Sequence, residues 1–364
     1  MTTSPPICYD VAMNILLTSA GRRTYLVDYF KQALGAEGLV YAANSVQSPA
    51  LEQADGAVLT PLIYDAAYIP FLLNFCRERH IGLLVPLFDI DLPVLVAHKA
   101  AFAAEGVVLA VSDAETLAAC NDKYKMSRKL LAAGIPTPAC CLSEAECHSL
   151  LSTSRLQLPL LLKPRFGMGS IALQRVETME ELPVLAARCR REVEKSYLRY
   201  ESAAAPEACV LFQQWVAGDE YGLDVVNDFA GNYVATFVRR KLAMRAGETD
   251  EAVILGEKEL EYSVLKNLSK KISETFGHIG NMDVDVLLRK GKDGSLQPYV
   301  IDMNARFGGG YPFSQLAGAD LPRAYLCWAK GQKAPADCFQ LRAGVHGYKE
   351  ISMRAYAGQP EAVQ

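Results

Sequence analysis

The residues best placed to do chemistry lie at 300–310, VIDMNARFGGG. The apolar start reads as a buried strand, and it ends in an acid, an amide and an arginine. Asp302 and Asn304 are two residues apart, so on a strand both project from one face. Two hard oxygen donors with the Arg306 guanidinium beside them suit a divalent cation that bridges phosphates. Three glycines follow, where the backbone can turn in close contact with a neighbour. The plain alternative is a strand that ends in a polar turn.

Matching pieces lie upstream. Lys163-Pro164 ends a second apolar strand, and the loop Gly167-Met-Gly-Ser170 follows it. Glycines there would let backbone N–H groups cover phosphates, and Ser170 adds a hydroxyl. Lysine precedes the glycines and no Gly-Lys-Ser/Thr follows, so this is not a Walker A loop. Gln213, Gln214, Trp215 and Val216 end a strand whose amides and backbone could read an adenine edge. Glu220, past the Gly218 turn, could accept from ribose hydroxyls. Asp283 and Asp285 share a strand face, and their strand is the expected hairpin partner of the one bearing Asp302. Three carboxylates brought together call for a cation between them. Arg239, Arg240, Lys241 and Arg245 lead into a polar loop at 246–249, either as a solvated charge run or as an anion clamp. Arg22 and Arg23, at a helix start, carry the same two readings.

These residues need elements to hold them. Residues 14–18, 40–43, 57–59 and 81–87 are short apolar runs that alternate with helical patterns, which implies a parallel sheet covered on both faces. That Rossmann-like half ends near residue 118, and its first turn has only Gly21 in place of a G-x-G-x-x-G fingerprint. Helices are expected after Asn121-Asp122-Lys123 up to Ala133, over 179–199 and over 260–276. Hairpins are expected around 227–232 and 290–295.

Composition bounds the rest. The 364 residues are too many for one ordinary core. A net charge of −4 and a pI near 5.8 offer no field for nucleic acid or an anionic membrane. No apolar run reaches the roughly 18–20 residues of a membrane span. Residues 1–12 have no basic region before an apolar core, so they read as a disordered lead-in rather than a secretory signal. Ten cysteines without a C-x-x-C pair read as buried hydrophobes in a reducing cytoplasm rather than as zinc ligands.

Taken in order, Lys123, Leu162-Lys163-Pro164…Gly167-x-Gly169-Ser170, Gln213-Gln-Trp-Val216…Gly218-x-Glu220 and Asp285…Asp302-x-Asn304-x-Arg306 resemble the ATP-grasp superfamily. The nearest flavour is the carbamoyl-phosphate-synthase-like ligases, and the resemblance runs from about residue 13 to residue 330. It implies an α/β and α+β chain: a Rossmann-like pre-ATP-grasp domain at 13–118, then a two-lobed ATP-grasp fold at 119–330. The small lobe would span about 135–216, and residues 331–364 would pack on the ATP-grasp lobe. By the same resemblance, Lys123 and Lys163 contact ATP phosphates, and Gly167, Gly169 and Ser170 close over them. Gln213, Gln214, Trp215 and Val216 line the adenine site, and Glu220 holds the ribose. Asp285, Asp302 and Asn304 ligate Mg²⁺ or Mn²⁺. Arg306, Lys163 and Arg240 act in catalysis, Arg240 by gripping the substrate carboxylate or acyl phosphate. Two departures stand out: the family usually has Glu at the position of Asp302, and often at that of Gln214.

The implied activity joins a small-molecule carboxylate to an amine through an acyl phosphate, with release of ADP. Bicarbonate as first substrate and a nucleotide-binding module without ligase activity are the alternatives. A cytoplasmic protein is expected, with a homodimer open and no nucleic acid or membrane as partner.

Overall fold

The structure is a computed structural model and describes residues 13–167, 171–203 and 205–353. Its first apolar runs form β1 (Asn14–Thr18), β2 (Val40–Asn44), β3 (Gly56–Leu59), β4 (Ile81–Pro86) and β5 (Val108–Leu109). They pair in parallel in the order β3-β2-β1-β4-β5, with Leu16 between Tyr41 and Leu84. Parallel strands need crossovers, and the Thr24–Leu34 helix is one. It turns Leu26, Val27, Phe30 and Leu34 inward, and each is buried. Full burial of such a side chain contributes about 1.5–3 kcal/mol.

A second, antiparallel sheet contains β6 (Cys140–Cys141), β7 (Leu160–Pro164), β8 (Gln174–Val176) and β9 (Val210–Gln214), ordered β6-β9-β7-β8. The expected helix over 179–199 is two helices, Leu182–Lys195 and Leu198–Ser202. Ser196 breaks it: its backbone is extended, and its hydroxyl accepts from the Leu198 N–H at 3.2 Å. Serine competes for backbone groups in this way and favours a new helix start.

The third sheet is the scaffold of the site. It holds β10 (Asp219–Asn227), β11 (Tyr233–Arg245), β12 (Glu248–Ile254), β13 (Gly280–Lys290), β14 (Leu296–Asn304) and β15 (His346–Tyr348), in the order β14-β13-β10-β11-β12-β15. The polar loop expected at 246–249 is only a two-residue turn. Ala246 and Gly247 both have positive φ, at 49° and 80°, which matches the tight hairpin that follows strand twist. Glu248 and Thr249 therefore belong to β12. The helix Leu260–Phe276 lies against this sheet and stops where Gly277 turns left-handed, its N–H bonded to Ser273 O at 2.8 Å. Among the described residues no helix is long and apolar enough to cross a membrane.

Candidate active site

The site forms where the three sheets meet. In the β13–β14 ladder Asp285 is paired with Asp302 and Asp283 with Asn304. Like charges directly opposite on neighbouring strands repel, so each carboxylate needs a counter-charge. The protein supplies its own. Asp302 Oδ1 meets Lys123 Nζ at 3.0 Å, and Asp285 Oδ1 meets Lys241 Nζ at 2.7 Å. Lys241 also reaches Glu220 Oε1 at 2.7 Å. Asp283 is tied to Arg239 at 2.5 Å. Lysines and an arginine thus meet, in this structure, the electrostatic demand that the sequence reading assigned to a cation.

Exposure separates these acids. Asp285 and Asp302 keep 26% and 21% of their side-chain surface, whereas Arg239 keeps 1%. A ligand can reach the first two. Arg239 is sealed between Asp224 (2.6 Å) and Asp283, and its buried Nε has no hydrogen-bond partner. The glycines explain the seal: a Cβ on Gly310 would lie 2.2 Å from Arg239 Nε, and one on Gly308 would lie 2.1 Å from Asp283 Cγ. The glycine run thus turns against this internal ion pair.

Lys163 rises from β7 and donates to Ile301 O on β14 at 3.0 Å. Burial, then the nearby Lys123 charge, lowers its pKa to about 8. Burial opposes the charge on Asp302, but Lys123 and Lys163 outweigh it and hold the carboxyl below its usual range. Lys123 opens the helix Lys123–Ala132, which Asp122 caps by accepting from the Tyr124 and Lys125 N–H groups. The Lys123 ammonium also donates to Gly167 O at 2.5 Å, so it links the base of the glycine loop to Asp302. Gly167 has φ 88°, and a Cβ there would meet Leu198 Cδ2 at 2.0 Å. Gly169 and Ser170 lie outside the described residues.

The N-terminal sheet contributes Asp89, in the loop after β4. Arg306 donates to Asp89 Oδ2 through Nε (3.0 Å) and Nη2 (2.7 Å), and through Nη1 to Phe307 O at 3.0 Å. A cavity of about 130 Å³ joins these groups, with Arg23, Lys241, Asp285, Asp302, Asn304 and Arg306 on its wall.

Arg240 does not join them. Residues 239 and 241 share one face of β11 and Arg240 has the other. It is 45% exposed there and pairs with Asp219 at 3.0 Å, so its expected grip on substrate is corrected. Alternation also separates the two glutamines. Gln214 spends its amide on Gln157, accepting from N at 2.8 Å and donating to O at 3.0 Å. Reading of adenine by the Gln214 side chain is corrected accordingly. The Gln213 amide is buried, and its Nε2 lacks a partner. Trp215 is 37% exposed and carries the Arg175 guanidinium 4.6 Å from its ring centroid, while Val216 lies just past the end of β9. Sequence reasoning did not assign Asp89, Arg239 or Lys241 to the site. Only the basic run at 239–245 hinted at the last two.

An N-terminal domain described as PylC-like matches residues 15–110 of this chain, and an ATP-grasp domain matches residues 120–310, more than half of it. The chain belongs to the ATP-grasp family. Solved structures agree on the fold of this ATP-grasp chain. The biotin carboxylase domain of Hydrogenobacter thermophilus 2-oxoglutarate carboxylase, solved with MgADP and bicarbonate, superposes with a TM-score of 0.69 at 17% identity, covering 92% of this chain and 73% of that one. For N5-carboxyaminoimidazole synthetase from Staphylococcus aureus the values are 0.64, 14%, 89% and 78%. For L-amino acid ligase from Bacillus licheniformis they are 0.63, 19%, 91% and 77%.

Proposed function

We propose that this ATP-grasp chain is an ATP-dependent carboxylate–amine ligase. The observation that carries the reading is the pair Asp285–Asp302 at one ladder position, reachable from the cavity and ringed by Lys123, Lys163, Lys241 and Arg306. In the proposed reaction a carboxylate oxygen attacks the γ-phosphorus of ATP, and the bond to the β–γ bridging oxygen breaks. ADP leaves and an acyl phosphate remains. An amine nitrogen then attacks the acyl carbon, phosphate departs, and the nitrogen releases its proton to solvent. Such chemistry asks mainly for positioning and charge neutralisation. Lys123 and Lys163 would hold the phosphates and Arg306 the group in transit. The unpartnered Gln213 amide is suited to an adenine edge, with the backbone of Trp215 and Val216 beside it, and Glu220 to the ribose.

The donor set fits Mg²⁺ or Mn²⁺. Among the described residues no three His, Cys, Asp or Glu side chains gather as a protein metal cage. Magnesium typically takes one or two carboxylates and fills its shell with phosphate oxygens and water. Asp285 and Asp302, with Asn304 one step along the same face, would hold it, and the bound ion would neutralise phosphate charge.

The small-molecule acid and amine are the proposed partners. A cytoplasmic setting is supported by the described cysteines, all free. A homodimer is part of the proposal, since the similar biotin carboxylase domain was solved as a dimer, and light scattering tests it. The reaction is tested by incubating enzyme, Mg-ATP and a panel of acids, bicarbonate included, with hydroxylamine. A hydroxamate formed in step with ADP is expected. AMP as product overturns the reading.

A further inference from the structure

A second, wider cavity of about 930 Å³ opens beside the first, between the N-terminal sheet and the β11–β12 turn. Arg22, Arg23, Tyr25 and Glu52 line it from one side, and Arg245 and Lys349 from the other. Arg23 alone among the arginines lines both cavities.

The charges along this wall differ in pairing and in burial, and Arg22 is exposed. Arg245 is paired with Asp250 at 2.7 Å and Lys349 with Glu248 at 3.1 Å. Arg23 makes no side-chain hydrogen bond or ion pair within 4 Å among the described residues, although it is partly buried at the junction of the two cavities. Arg306 and the sealed Arg239 line the same small cavity, so Arg23 looks onto a space it shares with like charge. Burial, followed by the Arg306 charge, holds the Arg23 pKa below the usual arginine range. Asp89 and Glu248 offset this only in part. A half-buried guanidinium without a partner, facing another of like charge, is an anion seat.

We propose that Arg23 seats the carboxylate of the acid substrate, whose body occupies the wider cavity, and so aims it at the phosphate end of the small one. This rests on the ligase reading, and it places the carboxylate grip on the N-terminal unit rather than on Arg240. The planar fork of Arg23 fits a carboxylate with two parallel N–H donors. From that seat the acid faces Asp302, Asn304 and Arg306 across the small cavity, where a γ-phosphate would lie.

Succinate is the probe, and inorganic phosphate its control. Each is titrated calorimetrically into the full chain with Mg-ADP present. Succinate is expected to bind wild type and to bind Arg23→Ala at least tenfold more weakly. Arg23→Lys, which keeps charge without the fork, should fall between, and Arg240→Ala should match wild type. ADP affinity should be equal in all four proteins, which also reports that each is folded. Undiminished succinate binding by Arg23→Ala overturns the proposal, as does failure of wild type to bind succinate. Phosphate binding in place of succinate overturns the carboxylate assignment. Loss of ADP binding in wild type would instead strike the nucleotide reading, and succinate titrated alone would still report on Arg23.

Discussion

Two sets of cations lie at the candidate site, and they are held in opposite ways. Lys123, Lys241 and Arg239 are each tied to carboxylates of β10, β13 or β14. Arg23, across the cavity, has no such tie among the described residues. On the proposed reading the paired set would exchange partners on binding: Asp302 and Asp285 would give up lysines to hold the metal, and those lysines would turn to phosphate oxygens. Charge is conserved through the exchange, so the unliganded site carries little net repulsion. The unpaired side has nothing to release, and its gain comes wholly from the ligand. One pocket thus combines a site that swaps partners with a site that waits for one.

The comparison breaks first at its most buried member. Arg239→Ala strands Asp224 and Asp283 without a counter-charge, and removal of one partner from a buried pair costs about 3–5 kcal/mol. Denaturant unfolding should show that loss. Wild-type stability would mean that the pair is not the internal anchor described here. Asp302→Asn should keep the fold and lower ATP turnover at limiting Mg²⁺ by roughly a hundredfold, or about 2.7 kcal/mol. Normal turnover would make Asp302 purely a partner of Lys123.

Lys163→Ala should weaken ATP binding by roughly 1.5–3 kcal/mol, the usual worth of a charge-assisted contact. Calorimetry with unchanged affinity would remove Lys163 from the phosphate set. The same lysine gives a pH signature. Its folded pKa, about 8, lies below the ordinary 10.5. Between those values the unfolded chain binds the extra proton, so this group makes stability rise with pH across that window. ATP affinity should move the other way and fall as pH climbs through 8, and Lys163→Ala should flatten that fall. The smallest effect belongs to Arg240→Ala. Its pair with Asp219 is 45% and 60% exposed, and such pairs contribute about 0.2–1 kcal/mol. Turnover should stay near wild type, which would sharpen the contrast with Arg23.

Periodicity made much of the scaffold readable. The Leu260–Phe276 helix was legible to the residue because its 3.6-residue pattern ends on a glycine able to turn left-handed. The β13–β14 hairpin was legible because two apolar runs flank a polar turn, and with it came the nearness of Asp283, Asp285 and Asp302; the register that sets Asp285 opposite Asp302 was not. Phase was not legible. A period of two says that Arg239 and Lys241 share a face and Arg240 does not, yet it cannot say which face meets the cavity, and the same blindness left Gln213 and Gln214 undistinguished. Contacts across the chain were invisible for a different reason. Asp89 and Arg306 lie 217 residues apart, and no local pattern marks either as a partner of the other.

That last bond has a consequence for anyone who wishes to recombine this protein. Arg306 stands just past the end of β14, and Asp89, whose Oδ2 accepts from two of its nitrogens, belongs to the first hundred residues. A minimal fragment cut at residue 118 would lose the two charge-assisted bonds that Asp89 accepts from Arg306. A chimera that borrows an N-terminal unit from a relative inherits an active form only if the donor brings an acid to the place of Asp89. The two units are therefore a single heritable part, whatever boundary their separate sheets suggest.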